Sequence, residues 1–123
     1  MSGQASRLLG RWGEALAAEH LRRAGSQILA ANWRSRFGEI DLIAADQNYL
    51  CFVEVKLRKS AAFGGAGEFV DRRKQNKLRL TAELYLSCHQ TRLQPRFDVI
   101  EVYAPQGTDT KAPRVRHIEN AFF

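Results

Sequence analysis

Two β-rich segments on either side of a turn constrain the fold of this chain most. Residues 38–45 and 49–57 are dominated by apolar side chains, and the turn-forming residues 46–48 separate them. Asp41 and Glu54 each interrupt one of these runs, which otherwise have the composition of central strands covered on both faces. A buried charge is costly unless it is paired or bound to a metal. The segments therefore predict a hairpin whose two acids need a cationic partner.

The turn sets which residues of the predicted hairpin lie opposite each other. With a hairpin loop of either two or four residues, counting inward from the turn places Asp41 opposite Glu54. The same count places Glu39 opposite Lys56. Directly opposed residues point to the same face of a sheet with Cβ atoms about 4.5–5.5 Å apart, so the two acids repel each other. A divalent cation between them turns this repulsion into a binding site, and carboxylate oxygens suit Mg²⁺ or Mn²⁺.

Lys56 belongs to the same predicted site because it follows Glu54 by two residues and so projects from the same strand face. Beside a metal it could orient or deprotonate an attacking water, or stabilise charge on a phosphorane. The metal would lower the pKa of that water and polarise the phosphate. The pattern Asp-x₁₂-Glu-x-Lys also arises by chance, and Glu-x-Lys alone is common as a surface ion pair. The surface ion pair therefore stays open as the alternative to a metal site.

Positive charge is concentrated in one part of the chain. The formal net charge is +6, and residues 51–80 hold eight basic side chains against three acidic ones. A basic surface attracts polyanions, of which nucleic acid is the commonest, although a solvated basic helix explains the charge equally well. The residues expected to contact nucleic acid are Arg58, Lys59, Arg72, Arg73, Lys74, Gln75 and Lys77.

The hydrophobic patterns predict one α/β domain over residues 1–123, with a mixed central sheet flanked by helices. The predicted helices span 6–24 and 71–87, and the predicted strands span 28–34, 38–45, 49–57, 96–103 and 114–118. Residues 58–68 and 105–113 are predicted loops. The apolar face of the first helix is predicted to contain Leu9, Trp12, Leu16 and His20. That of the second is predicted to contain Leu78, Ala82, Tyr85 and Leu86.

Two further polar residues are candidates for the site. Glu14 lies on the flank of the first helix's apolar stripe, from which it could reach a metal or a metal-bound water. Gln75 opens the second helix among basic residues and could touch the same site. Each also fits an ordinary exposed position on a helix.

The remaining features narrow the class of protein. No apolar run approaches the roughly 18 residues that a membrane span needs, and the N-terminus lacks a signal-peptide pattern, so we expect a cytoplasmic protein without membrane contact. Cys51 and Cys88 are expected to be buried free thiols. Zinc is not expected, because Cys88-His89 lacks the paired ligand spacing of a zinc site.

Taken together, the motifs of this chain resemble those of the YraN family of bacterial proteins, over nearly the whole length. The motifs that carry the resemblance are Gly10-Arg11-Trp12-Gly13-Glu14-x-x-Ala17, Asn32-Trp33-Arg34, Gly38-Glu39-Ile40-Asp41-Leu42-Ile43, Phe52-Val53-Glu54-Val55-Lys56, Arg96-Phe97-Asp98-Val99 and His117-Ile118-x-Asn120-Ala121-Phe122. That family is placed among restriction-endonuclease-like PD-(D/E)XK nucleases, and its core is similar to that of archaeal Holliday junction resolvases.

The resemblance implies a restriction-endonuclease-like αβββαβ core and assigns roles within it. It gives Asp41 and Glu54 to the metal, with the carbonyl of Val55 as a further ligand. It gives Lys56 to the water and the phosphate. Glu14 becomes the acid that resolvase-like nucleases carry on their first helix, and Gln75 matches a helical glutamine or lysine of some superfamily members only by position. Ile40 stands where the superfamily's name has a proline, a departure that leaves the metal ligands in place.

These expectations lead to one preferred function and two alternatives. The preferred function is a Mg²⁺- or Mn²⁺-dependent endonuclease that hydrolyses phosphodiester bonds in DNA, with branched or otherwise structured DNA favoured by the resemblance. The first alternative is a non-catalytic nucleic-acid-binding module. The second is a protein that depends on a partner, in which residues 121–123 contact another subunit. Resolvase-like nucleases act as homodimers, so the resemblance also implies a dimer.

Overall fold

The computed structural model describes residues 3–59 and 70–122. Its two α-helices are α1 (Gly3–Arg23) and α2 (Arg72–Cys88), and its strands are β1 (Gln27–Ser35), β2 (Gly38–Ala45), β3 (Tyr49–Arg58), β4 (Gln94–Tyr103) and β5 (Arg114–Phe122). The predicted order of helices and strands is therefore confirmed within the described residues. The last strand was predicted too short, since it continues beyond residue 118 to Phe122. The glycine-rich part of the predicted loop, residues 60–69, lies outside the described residues.

The five strands form one mixed sheet in the order β1-β2-β3-β4-β5. β3 and β4 are parallel, and the other neighbouring pairs are antiparallel. Parallel neighbours need a long crossover connection, and α2 lies in the segment that makes it. The predicted α/β class with a mixed sheet is thus confirmed. Within the described residues, no helix is long and apolar enough to cross a membrane.

The helices cover opposite faces of the sheet, so the core has two layers. Leu21 of α1 packs in a cluster with Leu42 and Val53, whereas Leu78 of α2 packs in another cluster with Phe52. Alternating residues of β2 and β3 feed these two clusters, as expected for strands that are buried on both sides.

The buried face of α1 differs from the predicted one. Its buried residues are Gly13, Ala17, Ala18 and Leu21, whereas the predicted Leu9, Trp12, Leu16 and His20 are only partly buried. The cause is a close approach of helix and sheet, because a Cβ at Gly13 would lie 2.8 Å from a methyl carbon of Leu57. Small residues therefore occupy the centre of the contact, and the larger apolar residues lie on its flanks.

The other predictions about buried residues are mostly confirmed. Leu78, Ala82 and Tyr85 of α2 are buried, but Leu86 is only partly so. Phe122 is buried and stacks on Phe97 with ring centroids 5.0 Å apart, so it packs in the core. Residue 123 lies outside the described residues.

The two cysteines have different environments. Cys51 is a buried free thiol, as predicted. Cys88 is free but exposed, so its predicted burial is wrong. Cys88 is the last residue of α2, where the helix has passed the edge of the apolar cluster that would otherwise cover it.

Candidate metal and nucleic-acid site

The register of the β2–β3 hairpin agrees with the prediction. The recorded pairs run from Ala45–Leu50 to Leu42–Val53, and one further step places Asp41 opposite Glu54. The Asp46 carboxylate closes the turn by accepting the backbone N–H groups of Asn48 and Tyr49 at 2.8 and 2.7 Å. A carboxylate that satisfies two turn amides makes a tight, well-defined loop. This turn is therefore what brings the two acids together.

Asp41 lies where the two strands begin to separate. Its Oδ2 accepts the backbone N–H of Val55 at 2.8 Å, beyond the last recorded strand pair. Burial, together with the neighbouring charges of Glu54 and Glu14, raises the pKa of Asp41 to about 7 against the opposing effects of the Val55 N–H and Lys74. Near neutral pH, any nearby cation will therefore favour the ionised form of Asp41 strongly.

Two lysines surround Glu54, whose side chain is only 7% exposed. Lys74 of α2 donates from Nζ to Glu54 Oε1 at 2.8 Å, and Lys56 Nζ lies 3.8 Å from the same oxygen. Burial and the neighbouring ammonium of Lys74 lower the pKa of Lys56. Burial acts the same way on Lys74, but its hydrogen bond to Glu54 outweighs that effect and raises its pKa. The structure thus brings Lys56 to Glu54 as predicted, and adds Lys74.

Glu14 approaches the site from α1. Its Oε1 accepts a hydrogen bond from Asn32 Nδ2 at 3.1 Å, and burial raises its pKa, with further contributions from Glu39 and Glu54. Asn32 lies on β1 beside Asp41 in the register and has a positive φ of 53°. Sequence reasoning missed Asn32 as a site residue. The available signal was an asparagine inside a strand pattern, since asparagine tolerates this conformation better than most residues.

Within the described residues, the acids offer only part of the ligand set that a divalent ion needs. In residues 3–59 and 70–122, no group of three His, Cys, Asp or Glu side chains is arranged to hold a metal. The two opposed carboxylates of Asp41 and Glu54 therefore form the protein part of the candidate site. Mg²⁺ commonly binds through one or two carboxylates and completes its coordination with water and substrate phosphates. The carbonyl of Val55 as a ligand stays a prediction.

The predicted nucleic-acid contacts divide into two groups. Arg72, Arg73 and Lys77 of α2 are exposed, as is Lys59 after β3. The first turn of α2 contains no acidic residue, although a helix N-terminus favours negative charge. The N-cap Asp71 supplies a carboxylate at this helix end, where it accepts the N–H of Lys74 at 2.8 Å, and the exposed basic side chains beside it are suited to a further anion.

The other predicted contacts have partners inside the protein. Arg58 Nε lies 3.4 Å from Glu101 Oε2. Gln75 Nε2 donates to the carbonyl of Val70 at 2.8 Å, which ties it to the start of α2. Lys74 was expected to bind phosphate, but in the structure its ammonium donates a hydrogen bond to Glu54.

A second buried acid, Asp98 on β4, was not predicted as a polar centre. Its two carboxylate oxygens accept hydrogen bonds from Arg96 at 2.9 and 3.0 Å, from the Asn120 N–H at 3.0 Å and from His117 at 2.7 Å. Burial alone would raise the pKa of Asp98, but His117 and Arg96 lower it overall. His20 of α1 lies 3.2 Å from His117 between ring nitrogens. This cluster fastens α1 and β5 to β4.

Fold and site together define a mixed α/β protein that presents two opposed acids and two lysines where a β-hairpin opens. Residues 13–102 match the model of the uncharacterised protein family UPF0102, and the chain belongs to that family, which is the YraN family. Its relatives include UPF0102 proteins of Rhodococcus opacus, 44% identical over 93% of this chain and 95% of the relative, and of Caldanaerobacter subterraneus, 45% identical over 93% of each. A UPF0102 protein of Pseudomonas aeruginosa is 43% identical over 97% of this chain and 95% of the relative.

Proposed function

We propose that this protein is a Mg²⁺- or Mn²⁺-dependent endonuclease that hydrolyses phosphodiester bonds in DNA. The observation that carries the proposal is the closeness of the Asp41 and Glu54 charges one residue beyond the last hairpin pair, with Lys56 3.8 Å from Glu54. The order αβββαβ and the acidic hairpin support a restriction-endonuclease-like core. The resemblance to Holliday junction resolvases favours branched DNA as the substrate and a dimer as the active form. We also expect the protein to act in the cytoplasm.

Each residue of the site has a role in this proposal. Asp41 and Glu54 bind the divalent ion, which when bound lowers the pKa of a coordinated water and polarises the phosphate. Lys56 contacts the attacking water or the phosphate through Nζ, and its lowered pKa suits it to take up a proton. Glu14, oriented by Asn32, holds a second water at the edge of the site.

Lys74 gives the site two states. In the structure its ammonium donates a hydrogen bond to Glu54 and neutralises the carboxylate that would bind the ion. Binding of a divalent ion requires that this contact loosen, since Lys74 and the ion compete for the same carboxylate. The ammonium of Lys74 would then be free to donate hydrogen bonds to a substrate phosphate.

The proposal predicts that Asp41→Asn and Glu54→Gln abolish cleavage and leave DNA binding in EDTA intact. Labelled junction, flap, single-stranded and duplex DNA are incubated with each variant, with and without Mn²⁺, and resolved on a gel. Glu83→Gln serves as the control, because Glu83 is an exposed acid of α2. If both site variants cut as well as the wild type, the assignment of the metal site is wrong.

A non-catalytic nucleic-acid-binding module is the second candidate. It is favoured by the ion pair between Lys74 and Glu54, which satisfies the buried acid with no metal. The basic first turn of α2 would then be the functional surface. Binding of DNA by the wild type, with no cleavage of any of the four substrates in Mn²⁺, supports this candidate over the nuclease.

A further inference from the structure

The face of the sheet that carries Lys56 continues as a polar surface across β4 and β5. The recorded pairs extend two rows of residues over three neighbouring strands. The first row is Lys56, Glu101 and Arg116, and the second row is Arg58, Tyr103 and Arg114. Paired residues on neighbouring strands lie on the same face, so both rows share the face of the candidate site.

A buried acid organises these rows. Glu101 is 2% exposed, and its carboxylate lies 3.4 Å from Arg58 Nε and 3.5 Å from Arg116 Nη1. Its Oε1 also accepts a hydrogen bond from the Tyr103 hydroxyl at 3.1 Å. One carboxylate thus holds two guanidinium groups, and the Arg116 side chain remains 55% exposed. The surface over Glu101 therefore carries net positive charge in a fixed position.

A cationic pocket of about 270 Å³ lies at the end of the second row. Among the residues that the structure describes, its lining includes Lys59, Tyr103, Lys111 and Arg114 and no acidic residue. In the part of the chain that the structure describes, no ion pair joins Lys59, Lys111 or Arg114 to an acid. Three cations around one cavity repel each other, and an anion bound between them removes that penalty.

We propose that this pocket and the adjacent Arg116 form a second phosphate-binding surface, which takes the nucleic-acid backbone as it leaves the Asp41–Glu54 site. The proposal extends the proposed function and rests on it for the position of the cleaved bond. Arg116 is two strands from Lys56, or about 10 Å at the usual strand spacing. That distance corresponds to the rise of about three base pairs along the axis of a DNA duplex. The surface therefore holds phosphates beside the cleaved bond.

The test measures DNA binding without cleavage. The double variant Lys111→Ala/Arg114→Ala is made in the Asp41→Asn background, and anisotropy of a labelled DNA junction and duplex is followed in EDTA over a range of KCl concentrations. We expect affinity to fall about tenfold or more at low salt, and the salt slope to fall by about two, one for each lost phosphate contact. Both substituted residues are exposed, so the variant should melt like its parent.

The matched control is Arg22→Ala/Arg92→Ala in the same background. It removes the same charge from two exposed positions outside the proposed surface. An equal loss of affinity in this control, or an unchanged affinity and slope in the Lys111/Arg114 variant, overturns the proposal. Stabilisation by inorganic phosphate that depends on Lys111 and Arg114, with no change in DNA affinity, assigns the pocket to free phosphate and also overturns it.

The experiment tests the phosphate-binding surface independently of the nuclease proposal. Because binding is measured in EDTA with a metal-site variant, no result depends on cleavage. One outcome is that the wild type cuts none of the tested DNAs in Mn²⁺ while the Lys111/Arg114 variant alone loses affinity and salt slope. In that case the nuclease proposal is wrong and the phosphate-binding surface is supported.

Discussion

At the scale of single residues, acids inside apolar strands fall into two kinds. Asp98 and Glu101 each contact arginine side chains, which satisfy them within the protein. Asp41 accepts a backbone N–H, and Glu54 contacts the ammonium of Lys74. The pKa of Asp98 is lowered overall, because His117 and Arg96 outweigh burial, whereas burial raises that of Asp41. The opposite pKa shifts of Asp98 and Asp41 distinguish an acid that the fold pairs with cations from an acid that it leaves against a neighbouring carboxylate.

The first prediction concerns Asp41→Asn. Because the folded pKa of Asp41 is about 7 against an ordinary value of 3.8, ionisation destabilises the metal-free fold progressively as pH rises between those values. The variant should therefore melt a few degrees above the wild type at pH 8, and the difference should vanish near pH 4. Thermal melts in EDTA across this range measure it. Added Mn²⁺ should stabilise only the wild type.

The control for this prediction has the opposite sign. The hydrogen bonds from the N–H groups of Asn48 and Tyr49 lower the pKa of Asp46, so its contribution to stability is present above its ordinary pKa and lost in acid. Asp46→Asn should melt below the wild type at pH 8. If Asp41→Asn also melts below the wild type at pH 8, the ionised Asp41 is stabilised by the fold and the interpretation of its pKa is wrong.

The second prediction concerns Lys74→Met, which keeps side-chain length and removes the charge. Glu54 then loses its 2.8 Å partner, and the metal-free protein should lose about 1–3 kcal/mol of stability. Mn²⁺ should bind the variant more tightly and raise its Tm more than that of the wild type, because no ammonium competes for Glu54. Titration calorimetry and melts with and without Mn²⁺ test both effects.

Lys77→Met is the matched control for Lys74→Met. It removes the same charge one turn later on α2, from an exposed side chain. Its stability and its Mn²⁺ affinity should stay close to those of the wild type. Weaker Mn²⁺ binding by Lys74→Met would show that Lys74 supports the ion rather than replacing it.

At the scale of secondary-structure elements, local chemistry made the β2–β3 hairpin predictable. The turn at Asp46 and the alternation of the strands specify the register, and with it the opposition of Asp41 and Glu54. The face of α1 was not predictable in this way. Its contact with the sheet depends on how closely Gly13 lets the helix approach Leu57. The spacing of apolar residues along the helix does not specify that distance.

The extra length of β5 has a similar long-range cause. The pairing of β4 with β5 shifts between Phe97 and Val99, where Asp98 accepts the N–H of Asn120. Asn120 adopts a φ of 52°, which bends the strand without ending it. The strand then continues to Phe122, which stacks on Phe97. These contacts join residues that are distant in sequence, so composition alone predicted an earlier end.

The third prediction concerns the first turn of α2. Arg73 lies there with other basic residues and no acidic one, which opposes the helix dipole. Arg73→Glu should raise stability by about 1 kcal/mol and weaken DNA binding. Chemical denaturation and anisotropy measure the two effects.

Arg22→Glu at the last turn of α1 changes the charge equally but should lower stability, because the dipole there favours a cation. A destabilised Arg73→Glu would contradict the prediction.

At the scale of the whole molecule, different strands of the sheet carry different polar sites. β2 and β3 present the candidate metal site, whereas β4 and β5 carry the Asp98 cluster and the proposed phosphate surface. Burial of β3 between neighbours on both sides holds Glu54 and Lys56 in place. The sheet thus supports a candidate metal site with too few protein ligands to complete the coordination of an ion. The described residues offer two opposed carboxylates and no group of three potential ligands.

A site that lacks ligands leads to the last prediction, which links metal and DNA binding. If a DNA phosphate completes the coordination of the ion, then Mn²⁺ binds more tightly when DNA is present, and DNA binds more tightly in Mn²⁺ by the same factor. Titration of Mn²⁺ into the protein, alone and with a phosphorothioate duplex that resists hydrolysis, should show an affinity gain of about tenfold, within the usual range of coupling. The Lys111→Ala/Arg114→Ala variant should bind DNA more weakly yet keep the same factor, because its lost contacts lie away from the ion. Asp41→Asn should lose the coupling entirely. Equal Mn²⁺ affinity with and without DNA would mean that the ion and the nucleic acid do not meet at Asp41 and Glu54, and the binding module would then be the better account of this fold.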